Sequence, residues 1–232
     1  MNSITSMTDT YHALQKWFAS KKSQAVVARE RLATEMIVNS YKPFRSLELV
    51  NSGLLMSSSI DDQVVLSRGT LVNSHPANLV VTDMGRLPFI SESFDIIVCA
   101  HVQETSACAG EMFAEMSRVL IPGGLCVVFG FNPQGLWRQV DFAINPWWQH
   151  PVSVANCQAL GQLFSLTTIY TDYLGFGAMA APEQPLLRAG VRVIKQTLPS
   201  TAILYKLVMR KEVMSQTPVL VDEASMMHSA GA

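Results

Sequence analysis

Two nearly unbroken hydrophobic stretches, Phe94 to Ala100 and Leu125 to Phe131, stand out in a chain whose polar and apolar residues are otherwise mixed. A half-exposed antiparallel strand would alternate. These do not, which predicts two strands of a parallel sheet buried on both faces. Between them Met112, Phe113, Met116, Val119 and Leu120 recur at helical spacing and predict a helix from about Cys108 to Leu120. Pro122-Gly123-Gly124 supplies its stop.

Weaker patterns fill in the rest. Residues 8 to 39 read as helical, with Leu14, Trp17 and Phe18 on one apolar face and Ala25, Ala28, Leu32 and Met36 continuing it. Ser20-Lys21-Lys22-Ser23 is expected to interrupt this run, with Ser23 the predicted N-cap of the second helix, and Tyr41-Lys42-Pro43 to end it. Arg29 to Arg31 and Glu35 are read as the solvated face. Short strands are predicted at 47–50, 63–66 and 79–82, then a helix over 152–164, a strand over 167–173, a helix over 186–198 and a last strand over 202–209. Such alternation predicts an α/β fold, a single doubly wound sheet of about seven strands. The division expected is a helical lead-in over 1–40, the α/β domain over 41–213 and a flexible tail over 214–232.

Composition narrows the classes. At 232 residues with 49% hydrophobic and 15% charged positions, the chain has ample material for one core. A formal net charge of −1 leaves no electrostatic footprint for nucleic acid. No apolar run approaches the ~20 residues of a membrane span. The first nine residues lack the charged and apolar regions of a signal peptide, so the expected location is cytoplasmic. Cys99, Cys108, Cys126 and Cys157 form no C-x-x-C pair; they read as buried thiols in a reducing compartment, with no metal site expected.

The segments Leu87-Pro88-Phe89 with Ser93-Phe94-Asp95, Arg118-Val119-Leu120-Ile121-Pro122-Gly123-Gly124 and Asn132-Pro133 resemble the second half of class I S-adenosylmethionine-dependent methyltransferases, type-11 (ubiquinone/menaquinone-methyltransferase-like) group. The resemblance covers roughly residues 10 to 213 and is strongest over 80 to 133. It implies the Rossmann-like methyltransferase fold, mostly parallel with helices on both faces, and S-adenosyl-L-methionine as cofactor. Glu48, Asn51 and Gly53 would form the cofactor loop, with one glycine where the family usually has three. The second strand ends in Ser67-Arg68, where relatives place a ribose-binding carboxylate. Asp83 and Met84 would meet the adenine, and His101 would touch cofactor or substrate. Asn132, Trp137 and Trp148 would line the acceptor side, with His101 and His150 as candidate bases.

The expected activity is methyl transfer to a small, fairly apolar acceptor. A catalytically inactive methyltransferase-fold protein, serving as a binding or regulatory partner, is the alternative that the thinned loop leaves open. A nicotinamide oxidoreductase is disfavoured, because no G-x-G-x-x-G follows a strand. The residues leave the acceptor's identity and the oligomeric state, a homodimer included, open.

Overall fold

The computed structural model describes residues 3–21, 23–50, 52–56, 58–67, 79–81, 84–105, 109–135, 152–175 and 202–212. Its strands are β1 (Arg45–Glu48), β2 (Asp62–Ser67), β3 (Leu79–Val81), β4 (Phe94–Ala100), β5 (Leu120–Phe131), β6 (Leu166–Leu174) and β7 (Leu204–Lys211). They form one sheet in the order β3-β2-β1-β4-β5-β7-β6. Neighbours from β3 to β5 are parallel, and β7 runs antiparallel to both β5 and β6. The chain builds outward from β1 to β3, then returns to place β4 on the other side of β1. That reversal between β1 and β4 is where doubly wound sheets bind ligands, at the carboxyl ends of the strands.

The described helices are α1 (Ser3–Phe18), α2 (Gln24–Tyr41), α3 (Ala109–Val119) and α4 (Val154–Leu163). The two apolar runs are the centre of the sheet: Ile96 to Ala100 and Cys126 to Phe129 have no solvent exposure. Side chains of β5 alternate between two helical layers. Cys126 Sγ lies 3.9 Å from Met116 Sδ of α3, while Leu125 lines a groove with Met36, Ile37 and Tyr41 of α2. The predicted apolar stripe of α3 is buried at Met112, Phe113, Met116 and Val119. α3 ends at Val119 and β5 starts at Leu120, so Pro122-Gly123-Gly124, expected as a stop ahead of the strand, falls inside β5 instead, where the pairing with β4 shifts register and Gly123 sits at φ +80°.

The predicted break between the first two helices is present, but Ser23 does not cap α2. Its own backbone is helical, and its hydroxyl donates to the carbonyls of Phe18 (2.9 Å) and Ser20 (2.8 Å), closing the end of α1 instead. The faces of α2 also differ from the reading of the sequence. Val26, Glu30, Ala33, Thr34 and Val38 are buried, whereas Leu32 and Met36 are 61% and 65% exposed. Glu30 drives the difference: it has a buried partner on β4's exit and turns its i, i+4 row inward. Lys42 at φ +53° ends the helix before Pro43, as expected. Cys99, Cys126 and Cys157 are buried and unbridged. The predicted helix over 186–198, Cys108 and the tail lie outside the described residues. No helix among the described residues is long and apolar enough to cross a membrane.

Candidate active site

Glu48 ends β1 and faces its own loop. Its Oε1 accepts from the Ser52 amide (2.9 Å), the Ser52 hydroxyl (2.5 Å) and the Leu54 amide (3.3 Å), and Oε2 accepts from the Leu55 amide (3.4 Å). Burial pushes this carboxyl above the ordinary range, and the four bonds oppose that rise. Glu48 therefore shapes the loop from beneath. Gly53 sits at φ +71°, so its left-handed backbone calls for glycine, whereas the nearest atom to an added Cβ, Met56 Sδ at 2.9 Å, is the end of an exposed side chain that can move aside. Arg31 Nε of α2 donates to the Gly53 carbonyl at 3.0 Å. Val50 is buried in the core. The turn is thus built with a single glycine. Asn51 lies outside the described residues.

At the end of β2, Ser67 is buried, and Gln15 Nε2 of α1 donates to its hydroxyl at 2.9 Å. No pattern along the chain announces this contact, because Gln15 lies 52 positions away on a helix whose approach to the sheet is tertiary. Beyond β3, Asp83 lies outside the described residues. Met84 is 3% exposed and belongs to the hydrophobic core. The segment after it is clamped by the helix that follows β4. Arg118 donates to the carbonyls of Leu87 (3.0 Å) and Phe89 (2.8 Å), while Glu115, paired with Arg118, accepts from the Leu87 amide at 2.8 Å. The two sequence motifs that carried the resemblance are therefore bonded to each other.

His101 follows β4 at φ +59° and is fully buried. Its Nε2 lies 2.8 Å from Glu30 Oε1 and its Nδ1 3.3 Å from Glu104 Oε2. Burial disfavours the charged ring, but the two carboxylates outweigh it and raise the pKa to about 9. At neutral pH the ring is an imidazolium donating through both nitrogens. Trp17, Phe18 and Phe131 surround it at ring-centroid distances of 6.1, 5.9 and 4.3 Å. Glu104 Oε1 accepts from the Phe131 amide at 2.6 Å, tying this cluster to β5.

Asn132 ends β5 and is 4% exposed. Its Nδ2 donates to the Ala202 carbonyl (2.9 Å) and its Oδ1 accepts from the Gln134 amide (3.1 Å), so it holds the turn before β7's entry. Trp137, Trp148 and His150 lie outside the described residues. Of the predicted site residues, Glu48, Gly53, Met84, His101 and Asn132 are all found in the region where β1, β3, β4 and β5 end. There Glu48, His101 and Asn132 serve as internal polar anchors. Glu30 and Gln15, which complete the region, were not anticipated. For Glu30 a signal existed, since it shares a helical row with Val26, Thr34 and Val38.

Residues 55–128 match the model of a methyltransferase domain family, a span running from the end of the β1 loop through the middle of β5. Over that span the chain is similar to this methyltransferase domain family. Solved structures agree on the fold. A methyltransferase from Thermotoga maritima is 11% identical with a TM-score of 0.62, covering 88% of this chain and 100% of its own. The N-methyltransferase NodS from Bradyrhizobium japonicum, solved with S-adenosyl-L-homocysteine, is 14% identical with a TM-score of 0.58, covering 87% and 98%. The [4+2]-cyclase SpnF is similar too, at 13% identity and a TM-score of 0.54, covering 79% and 81%. That third likeness is a reminder that this fold alone does not fix a reaction. No curated protein sequence matches the chain.

Proposed function

We propose that this methyltransferase domain uses S-adenosyl-L-methionine to methylate a small, fairly apolar acceptor. The observation that carries the reading is the tight turn at Gly53, set at the end of β1 beside the reversal of strand order. A backbone turn without a Cβ is what the cofactor's methionine end needs, and the residues present fit it. Gly53 and Asn51 would hold that end, with Asp83 and Met84 on the adenine side. Glu48 acts from below, by fixing the amides of Ser52, Leu54 and Leu55.

The bound cofactor supplies an activated methyl on a sulfonium. The protein's tasks are to align an acceptor with that methyl and keep water away. The acceptor side is assigned to the stretch after β5, with Asn132 at its start and Trp137, Trp148 and His150 within it. His150 is the better candidate base, since His101 is already protonated between its carboxylates.

Calorimetric titration of the full chain with S-adenosyl-L-homocysteine tests the reading. Saturable binding at micromolar concentrations supports it. No heat of binding at millimolar ligand would overturn it in favour of a fold kept for another purpose.

A further inference from the structure

In nucleotide-binding doubly wound sheets the ribose hydroxyls are read by a carboxylate at the end of the second strand. Here that position is Ser67, which is buried and has no carboxylate. The acidic end of this strand is the opposite one, where Asp62 pairs with Arg45 at 2.8 Å. Glu48, the acidic residue ending β1, has both oxygens committed to its loop. A ribose diol offers two hydroxyl donors and needs an acceptor, and a buried serine hydroxyl already receiving a bond is a poor one.

Into this gap α1 brings Gln15. Its amide nitrogen donates to Ser67 Oγ at 2.9 Å, and its carboxamide oxygen makes no hydrogen bond among the described residues. One end of the amide is held and the other is left as an acceptor with two lone pairs. The placement of α1 is not casual. Tyr11, Leu14 and Trp17 are buried, and Trp17 packs on Phe131 at 5.6 Å, so the helix crosses the strand ends from β2 to β5 with Gln15 fixed over β2.

We propose that Gln15, carried over the strand ends by α1, reads the ribose hydroxyls of the cofactor in place of a carboxylate on β2. The proposal rests on the cofactor assignment above and adds a residue from outside the sheet. It makes cofactor binding depend on the seating of α1.

Calorimetry on the full chain tests it with S-adenosyl-L-homocysteine and with its 2′-deoxy analogue. Gln15→Ala lies at a half-exposed helical position where alanine favours the helix, so the variant should keep its melting temperature. It should bind S-adenosyl-L-homocysteine about tenfold more weakly, as loss of one hydrogen bond implies. The wild type should discriminate against the deoxy analogue, and Gln15→Ala should not. Gln15→Glu, which restores a carboxylate, should bind at least as well as the wild type. Equal affinity of Gln15→Ala and wild type would overturn the proposal while leaving the cofactor assignment intact. Tighter binding by Gln15→Ala would also overturn it, showing that the side chain fills the ribose's place. Failure of the wild type to bind overturns the cofactor assignment and this proposal together.

Discussion

His101 Nε2 and Glu30 Oε1 lie 2.8 Å apart, joining the exit of β4 to the second turn of α2 across 71 positions of chain. Both side chains are fully buried. Glu104 takes the ring's other nitrogen, so one cation sits between two carboxylates, and Glu30 Oε2 has no hydrogen-bond partner among the described residues. The cluster locks α2, β4 and β5 to one another just beneath α1. It is a buried polar anchor where β4 and β5 end, at a position that the sequence analysis assigned to cofactor or substrate contact.

This arrangement predicts a pH dependence of stability. The pKa of His101 rises from about 6.5 in the unfolded chain to about 9 in the folded one. A raised histidine stabilises fully below the unfolded value, and that contribution is lost as pH climbs through the folded one. Wild-type stability should therefore fall between about pH 6.5 and about pH 9, and His101→Asn should lose that slope. Urea unfolding at pH steps from about 6 to about 10 reads it. The same slope in both proteins would show that the imidazolium carries no such weight.

Removing one carboxylate gives a second handle. Glu30→Gln leaves the imidazolium with one charged partner in a dry site, where breaking a buried pair costs about 3–5 kcal/mol. For a domain of this size that is a drop of roughly 10 °C in melting temperature. Thermal unfolding followed by circular dichroism measures it. A change under about 2 °C would mean that water reaches the cluster.

The sheet was legible because its signals are local. Continuous apolarity identified β4 and the carboxyl-terminal part of β5, while the start of β5 at Leu120 was hidden because Pro122-Gly123-Gly124 reads as a stop and is in fact part of the strand. What differed was the facing of α2, for a single reason. Glu30 was assigned to solvent by its charge, and only a partner 71 positions away makes its burial tolerable. With Glu30 outward, Leu32 and Met36 looked like the core face. Ser23 was misread in the same manner, since its hydroxyl serves the helix behind it. Contacts made by α1, such as Gln15 with Ser67, depend on where a whole helix docks and leave no periodic trace.

Glu48 offers a test of the loop. Its carboxylate satisfies three backbone amides and one hydroxyl. Glu48→Ala strands these donors, each at about 1–3 kcal/mol if it stays buried. The loop should open rather than bear that. Hydrogen exchange at the amides of Ser52, Leu54 and Leu55 should quicken more than about tenfold, while the β4 amides stay protected. Uniform loss of protection across the sheet would instead make Glu48 part of the global core.

Gly130 on β5 provides the sharpest packing test. A Cβ there would collide with the phenol of Tyr205 and come within 2.7 Å of Gln103 Nε2. The phenol cannot retreat easily. Its hydroxyl donates to the Val152 carbonyl at 2.9 Å, lies 3.4 Å from Cys157 Sγ and accepts from Gln103 Nε2 at 3.3 Å. Gly130→Ala should therefore destabilise by at least ~1–3 kcal/mol, the usual range for overpacking. Tyr205→Phe should give little relief, because the ring carbon nearest the clash remains. Tyr205→Leu is destabilising alone, through lost ring volume and lost hydrogen bonds, yet vacates the space that the added methyl needs. The double variant Gly130→Ala with Tyr205→Leu should lose less than the sum of the two singles, by ~0.5–3 kcal/mol. Urea unfolding of the four proteins closes this cycle. Strict additivity would mean that β5 shifts to accommodate the methyl and that the phenol is not its obstacle.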